Sequence, residues 1–108
     1  MTDYKILGQD ASGAGVETNS YSVPATKSAV VRAMNVTNTS STPDTFDIAI
    51  TPASSGSITD ADYIFKSQEI LGNETITIKG GYTLDENNTI RIKSTNGTTA
   101  FNIFGGEI

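Results

Sequence analysis

Residues 21–38 read YSVPATKSAVVRAMNVTN, a proline-containing turn over 24–27 feeding one long strand. Successive side chains of a strand point to opposite faces. Val30, Met34 and Val36 therefore share one face and Ala29, Val31 and Ala33 the other, with Arg32 interrupting the first row. A strand apolar on both faces is expected at the centre of a sheet, covered on both sides. Other segments alternate more simply. In 45–51, TFDIAIT, Phe46, Ile48 and Ile50 oppose Asp47 and Ala49. In 74–79, ETITIK, Ile76 and Ile78 point inward and Thr75, Thr77 and Lys79 outward. In 89–94, TIRIKS, Ile90 and Ile92 point inward and Arg91 and Lys93 outward.

Shorter strands are expected at 3–7, 16–23, 63–67 and 98–104. Polar turn clusters separate them at 38–44, 71–73 and 85–88, and Gly80-Gly81 is expected to end a strand. Asn96-Gly97 is the strongest hairpin signal and predicts that the last two strands are antiparallel neighbours. About eight short strands at roughly ten-residue spacing predict an all-β chain, a single antiparallel β-sandwich or jelly-roll-like domain over 1–108. A closed barrel is the alternative.

Two loops stand out. Residues 8–19, GQDASGAGVETN, are rich in Gly, Ser and Ala and predict a flexible segment. It reads as a connector or as an arm that orders against a neighbouring subunit. Residues 52–60, PASSGSITD, form the second loop. The contact residues expected from these loops are Gly8, Ala11, Gly13, Gly15, Ser54, Ser55 and Gly56.

Composition narrows the chemistry. Cysteine and histidine are both absent. That excludes disulfides, thiolate metal sites and a Ser-His-Asp triad, leaving carboxylate, lysine or tyrosine chemistry. Asp44 and Asp47, Asp60 and Asp62, and Asp85 and Glu86 lack the alternating oxygen pattern of a calcium loop and suit turns instead. No carboxylate spacing singles out a hydrolytic pair, so no enzyme and no cofactor is expected. Net charge is -5, from 12 acidic and 7 scattered basic residues. Nucleic acid is not an expected partner, since the basic footprint is missing. No apolar run has membrane-spanning length, and 1–10 lacks a signal-peptide pattern, so synthesis in a cytoplasm is expected. The five Asn-x-Ser/Thr sites, at Asn35, Asn38, Asn73, Asn87 and Asn96, follow from the composition.

Residues 21–50, YSVPATKSAVVRAMNVTNTSSTPDTFDIAI, resemble a segment of small virion proteins of tailed bacteriophages, of the cyanophage and marine-phage type. That family shows Tyr-x-Val-Pro-Ala-Gly-Lys, a Val-rich strand ending in Val-x-Asn, then Thr-Phe-x-Ile-Ala. The similarity continues through 60–92 and ends at FNIFGGEI, 101–108, which looks like the family's Phe-x-x-Phe-Gly-x-Glu-Ile terminus. Thr26 stands where the family has glycine, and a β-branched residue resists positive φ, so a different turn geometry is expected.

The resemblance implies a non-enzymatic virion protein, with a capsid decoration (cement) protein as the lead. Its implied partners are the major capsid protein or other virion proteins, and copies of itself in a homo-oligomer such as a trimer. The implied location is the capsid exterior ahead of the tail. A tail, baseplate or tail-fibre subunit is the alternative. A carbohydrate-binding host-recognition module is a further one, for which Tyr82 is the one attractive aromatic.

Overall fold

The structure is a computed structural model that describes residues 3–52 and 58–108. Its strands are β1 (Asp3–Ala11), β2 (Thr18–Ser22), β3 (Ala29–Asn38), β4 (Asp44–Thr51), β5 (Tyr63–Ile70), β6 (Thr75–Leu84), β7 (Thr89–Ser94) and β8 (Thr99–Glu107). A 3-10 turn, Asp60–Asp62, precedes β5. The strands form two four-stranded antiparallel sheets, ordered β1-β8-β3-β6 and β2-β7-β4-β5. They pack as the expected β-sandwich.

Between the sheets lie the large apolar side chains, among them Met34, Val36, Phe46, Ile48, Ile70, Leu84, Ile90, Ile92, Phe101 and Ile103. Burying each is worth about 1.5–3 kcal/mol. Phe46 anchors them, with ring centroids 5.8 Å from Phe101, edge-on, and 5.9 Å from Phe65. The alternation in β4 and β7 therefore predicted their inward rows correctly.

The faces of β3 need correction. Ala29, Val31, Met34, Val36 and Asn38 are buried, while Val30, Ala33, Asn35 and Thr37 are half-buried and Arg32 is exposed. The cause is a bulge. Against β8, Val31 pairs with Gly105 and Ala33 with Phe104, so Arg32 is an extra residue. Against β6, Arg32 faces both Gly80 and Gly81, which therefore do not end that strand. Leu7 is likewise extra in β1 against β8. A bulge shifts the alternation by one residue, which made a one-sided strand read as two-sided. β3 does lie inside its sheet, between β8 and β6. Gly105 marks the slip, because a Cβ there would collide with the Val30 carbonyl.

The chain changes sheet at nearly every connection, and among the described residues β4 and β5 are the only consecutive strands that pair. The turn at Asn96-Gly97 thus closes no hairpin; it carries the chain from β7 in the second sheet to β8 in the first. Asp44, buried at the head of β4, fixes this corner. Its carboxylate accepts hydrogen bonds from Ser94 Oγ (2.5 Å), Thr99 Oγ1 (2.7 Å), Asn96 N (2.9 Å) and Thr45 N (2.8 Å).

The expected flexible segment at 8–19 is also corrected. Gly8 to Ala11 belong to β1 and pair with β8, and Thr18 opens β2. The remaining residues, 12–17, are tied to β7. Ser94 N donates to Ser12 Oγ (2.9 Å), and Gly15 N donates to the Ser94 carbonyl (2.8 Å). Thr26 supplies a further correction. It adopts φ 69°, and Lys27 N bonds the Pro24 carbonyl at 3.2 Å. The turn thus keeps the geometry a glycine would take.

Candidate interaction surface

The outer face of the first sheet is built from four cross-strand rows. They run Tyr4–Gly106–Val30–Thr83, Ile6–Phe104–Ala33–Lys79, Gln9–Asn102–Asn35–Thr77 and Ala11–Ala100–Thr37–Thr75. The first two rows are mainly apolar and the last two are amide, hydroxyl or methyl. Arg32 rises from the bulge and lays its guanidinium 5.3 Å from the centre of the Tyr4 ring. Tyr4 and Ile6 are more than half exposed, at 63% and 53%. With Lys5, Arg32, Phe104 and Gly105 they line a shallow, open hollow of about 420 Å³. Thr77 Oγ1 donates to Asn35 Oδ1 at 3.1 Å, and the Thr37 and Thr75 hydroxyls bond at 3.1 Å, so the polar rows are ordered.

Lys79 is the one formal charge in these rows, Arg32 stands in the bulge between the first two, and none of the chain's 12 acidic residues joins them. A protein of net charge -5 therefore presents one broad face without a carboxylate. Such a face can meet another protein with little charge to desolvate.

The second sheet's outer face is different. Arg91 is buried and bonds Glu17 at 3.0 Å, while Lys93 and Lys66 approach Asp47 at 3.3 and 3.5 Å. Ser67 N also donates to Asp47, at 2.7 Å. The Asp47 charge raises the Lys66 ammonium above its ordinary value. The cleft among Glu17, Asp47, Tyr63 and Arg91 holds about 10 Å³, room for one water molecule. Its charges compensate one another.

A third polar group joins the two sheets. Glu107, near the end of β8, accepts from Lys5 Nζ (2.6 Å) and from the Tyr21 hydroxyl (2.5 Å), with Lys27 Nζ at 3.9 Å. Lys5 first, then Tyr21, holds the Glu107 carboxyl below its ordinary range. Burial, aided by Glu107, pushes the Tyr21 hydroxyl well above its own. Among the described residues no group of three or more His, Cys, Asp or Glu could hold a metal ion.

The expected contact residues do not converge. Gly8 is buried against Ser20, and Ala11 lies at one end of the outer face. Gly13 and Gly15 sit in the loop tied to β7. Ser54, Ser55 and Gly56 lie outside the described residues. Sequence reasoning missed Tyr4, Ile6, Arg32 and Phe104. The shared parity of Tyr4 and Ile6, and a charge breaking the apolar row at Arg32, were the available signals. Phe104 shares the parity of Ala100 and Asn102 in β8, which carries no extra residue, so alternation was the signal there too.

No family model, no curated protein and no solved structure matches this chain.

Proposed function

We propose that the chain is a non-enzymatic structural protein of a bacteriophage virion, a capsid decoration protein that docks through the outer face of its first sheet. The observation that carries this reading is that face: four cross-strand rows, aromatic and aliphatic at one end, with no carboxylate. The resemblance at 21–50, 60–92 and 101–108 supplies the virion context. A rigid sandwich with such a face suits contact with the major capsid protein across capsomer boundaries. Binding only the assembled shell would stabilise it by mass action. The sugar-binding reading loses support, because Tyr82 packs against the core instead of standing free.

The test is gold-labelled antibody against the purified protein, imaged on the parent particle. Label distributed over the head is expected. Label confined to the tail would overturn decoration in favour of a tail or fibre subunit. Absence of label from both intact and detergent-opened particles would overturn the virion reading.

A further inference from the structure

Each sheet of an open sandwich has two edge strands, whose unpaired backbone groups invite another strand, and proteins usually blunt them. Three of the four edges here are blunted along their length, and the fourth, β6, only from Lys79 through Gly80-Gly81. β1 carries the Leu7 bulge and lies against β2, with the Ser20 hydroxyl bonding Asp10 at 2.8 Å. β2 has five residues and a register shift at Ser20. β5 has two register shifts and Ser67 at φ 52°. The first half of β6 is the exception. From Thr75 to Lys79 its pairing with β3 is regular, and among the described residues no strand covers its other side. The run TITIK is rich in β-branched residues, with exposed Thr75 and Thr77 on the outer face and a half-buried Ile76 on the inner.

We propose that β6 is a strand-addition edge whose occupant is β6 of a second copy, antiparallel about a twofold axis at Thr77. The occupant follows from self-complementarity. Thr77 is the centre of the regular run, so this register alone pairs all five residues with the same run of the second copy. Thr75 then faces the partner's Lys79, Ile76 faces the partner's Ile78, and Thr77 faces itself. Like charges do not meet, and each residue keeps to its own face. The twofold axis stands normal to the sheet, as an isologous contact requires. It therefore joins two first sheets into one of eight strands, with both outer faces on the same side. The inference rests on the β6 edge and stands apart from the particle reading.

The chain has no native cysteine, so a single introduced thiol reports position cleanly. Directly opposed residues in antiparallel strands have Cα atoms about 4.5–5.5 Å apart, within disulfide reach. Under mild oxidation Thr77→Cys is expected to form a covalent dimer, while Gln9→Cys, on the opposite edge of the same face, is not. Cross-linking of Thr77→Cys no faster than Gln9→Cys would overturn the proposal. A charge pair gives a second reading by sedimentation velocity. Thr75→Glu, facing the partner's Lys79, is expected to tighten the dimer and Thr75→Lys to loosen it, a difference of about tenfold in dissociation constant. Both variants lose the same Thr37 hydroxyl contact, so damage to the fold would move them together. Equal constants for the two would overturn the register and the inference with it.

Discussion

Thr26 holds φ 69°, in the left-handed region where a β-branched side chain is strained. The turn holds it there: Thr26 N donates to Glu86 Oε2 at 2.7 Å, and Lys27 N closes on Pro24. Glycine takes this backbone without strain. Thr26→Gly is therefore expected to raise the unfolding free energy by about 1 kcal/mol. A higher urea midpoint at unchanged slope would report it. A lower midpoint would mean that the Thr26 side chain makes contacts outweighing the strain. Asp44 is the converse case, a buried acid whose every contact is stabilising. Removing the acceptor in Asp44→Ala strands the donors on Ser94, Thr99, Asn96 and Thr45, at an expected cost of about 3 kcal/mol. The same site sets a pH dependence. Burial alone would raise the Asp44 carboxyl, but its donors together hold it below 3.8. Lys5 and Tyr21 hold Glu107 below 4.5. Folded, each group binds fewer protons than when unfolded, so its contribution is full above those ordinary values. It is lost as pH falls through the depressed ones. Urea midpoints measured from neutral to strongly acidic buffer should hold level and then fall below about pH 4. Asp44→Asn should flatten part of that fall; an unchanged profile would remove Asp44 from the account.

At the scale of elements, the first sheet is shaped by irregularities that line up across its strands: Leu7 in β1, Arg32 in β3 and Gly80-Gly81 in β6. Gly105 lets β8 pass this line, since its missing Cβ leaves space for the Val30 carbonyl. Gly105→Ala is expected to lower stability by about 3 kcal/mol, because backbone cannot yield as a flexible side chain can. Thermal unfolding would show it, and a midpoint within a degree of the parent would mean the sheet relaxes freely there. The bulges also explain what could and could not be seen in the sequence. In β4 and β7 the sequence alternates, and the rows it sends inward are those in the core, although outward Asp47, Ala49 and Arg91 are covered as well. β3 obeys the same rule on each side of Arg32 but in opposite phase, and alternation carries no mark of where phase changes. Asn96-Gly97 announces a turn, while the sheet that β8 joins depends on Asp44, some fifty residues earlier in the chain. The outer-face site inherits both difficulties. Its polar rows and Phe104 can be drawn by parity, but Arg32 reaches it, and Ala33 joins Val30 on it, only through the bulge in β3.

For the whole molecule, charge distribution separates one surface from the rest. Twelve carboxylates against seven basic groups would, if spread evenly, leave no broad face free of acid. The outer face of the first sheet is free of it, while the second sheet's outer face holds Glu17 and Asp47 against Arg91, Lys66 and Lys93. Placing an acid on the first face should therefore harm the proposed docking more than folding. Ile6 is the site to use, being half exposed in β1 and beside the hollow. Ile6→Asp should leave the unfolding free energy within about 0.5 kcal/mol, as exposed substitutions usually do. It should weaken co-sedimentation with particles stripped of the protein by tenfold or more, about the effect of losing one anchor residue. Gln68→Asp, exposed on β5, adds the same charge to the other sheet and serves as control. If both variants bind like the parent, the contact lies elsewhere and the virion reading survives without this face. If both fail alike, net charge governs the encounter, and the first sheet has no special part in it. Loss confined to Ile6→Asp is the result that the carboxylate-free face requires, since only there would the new acid be desolvated on docking.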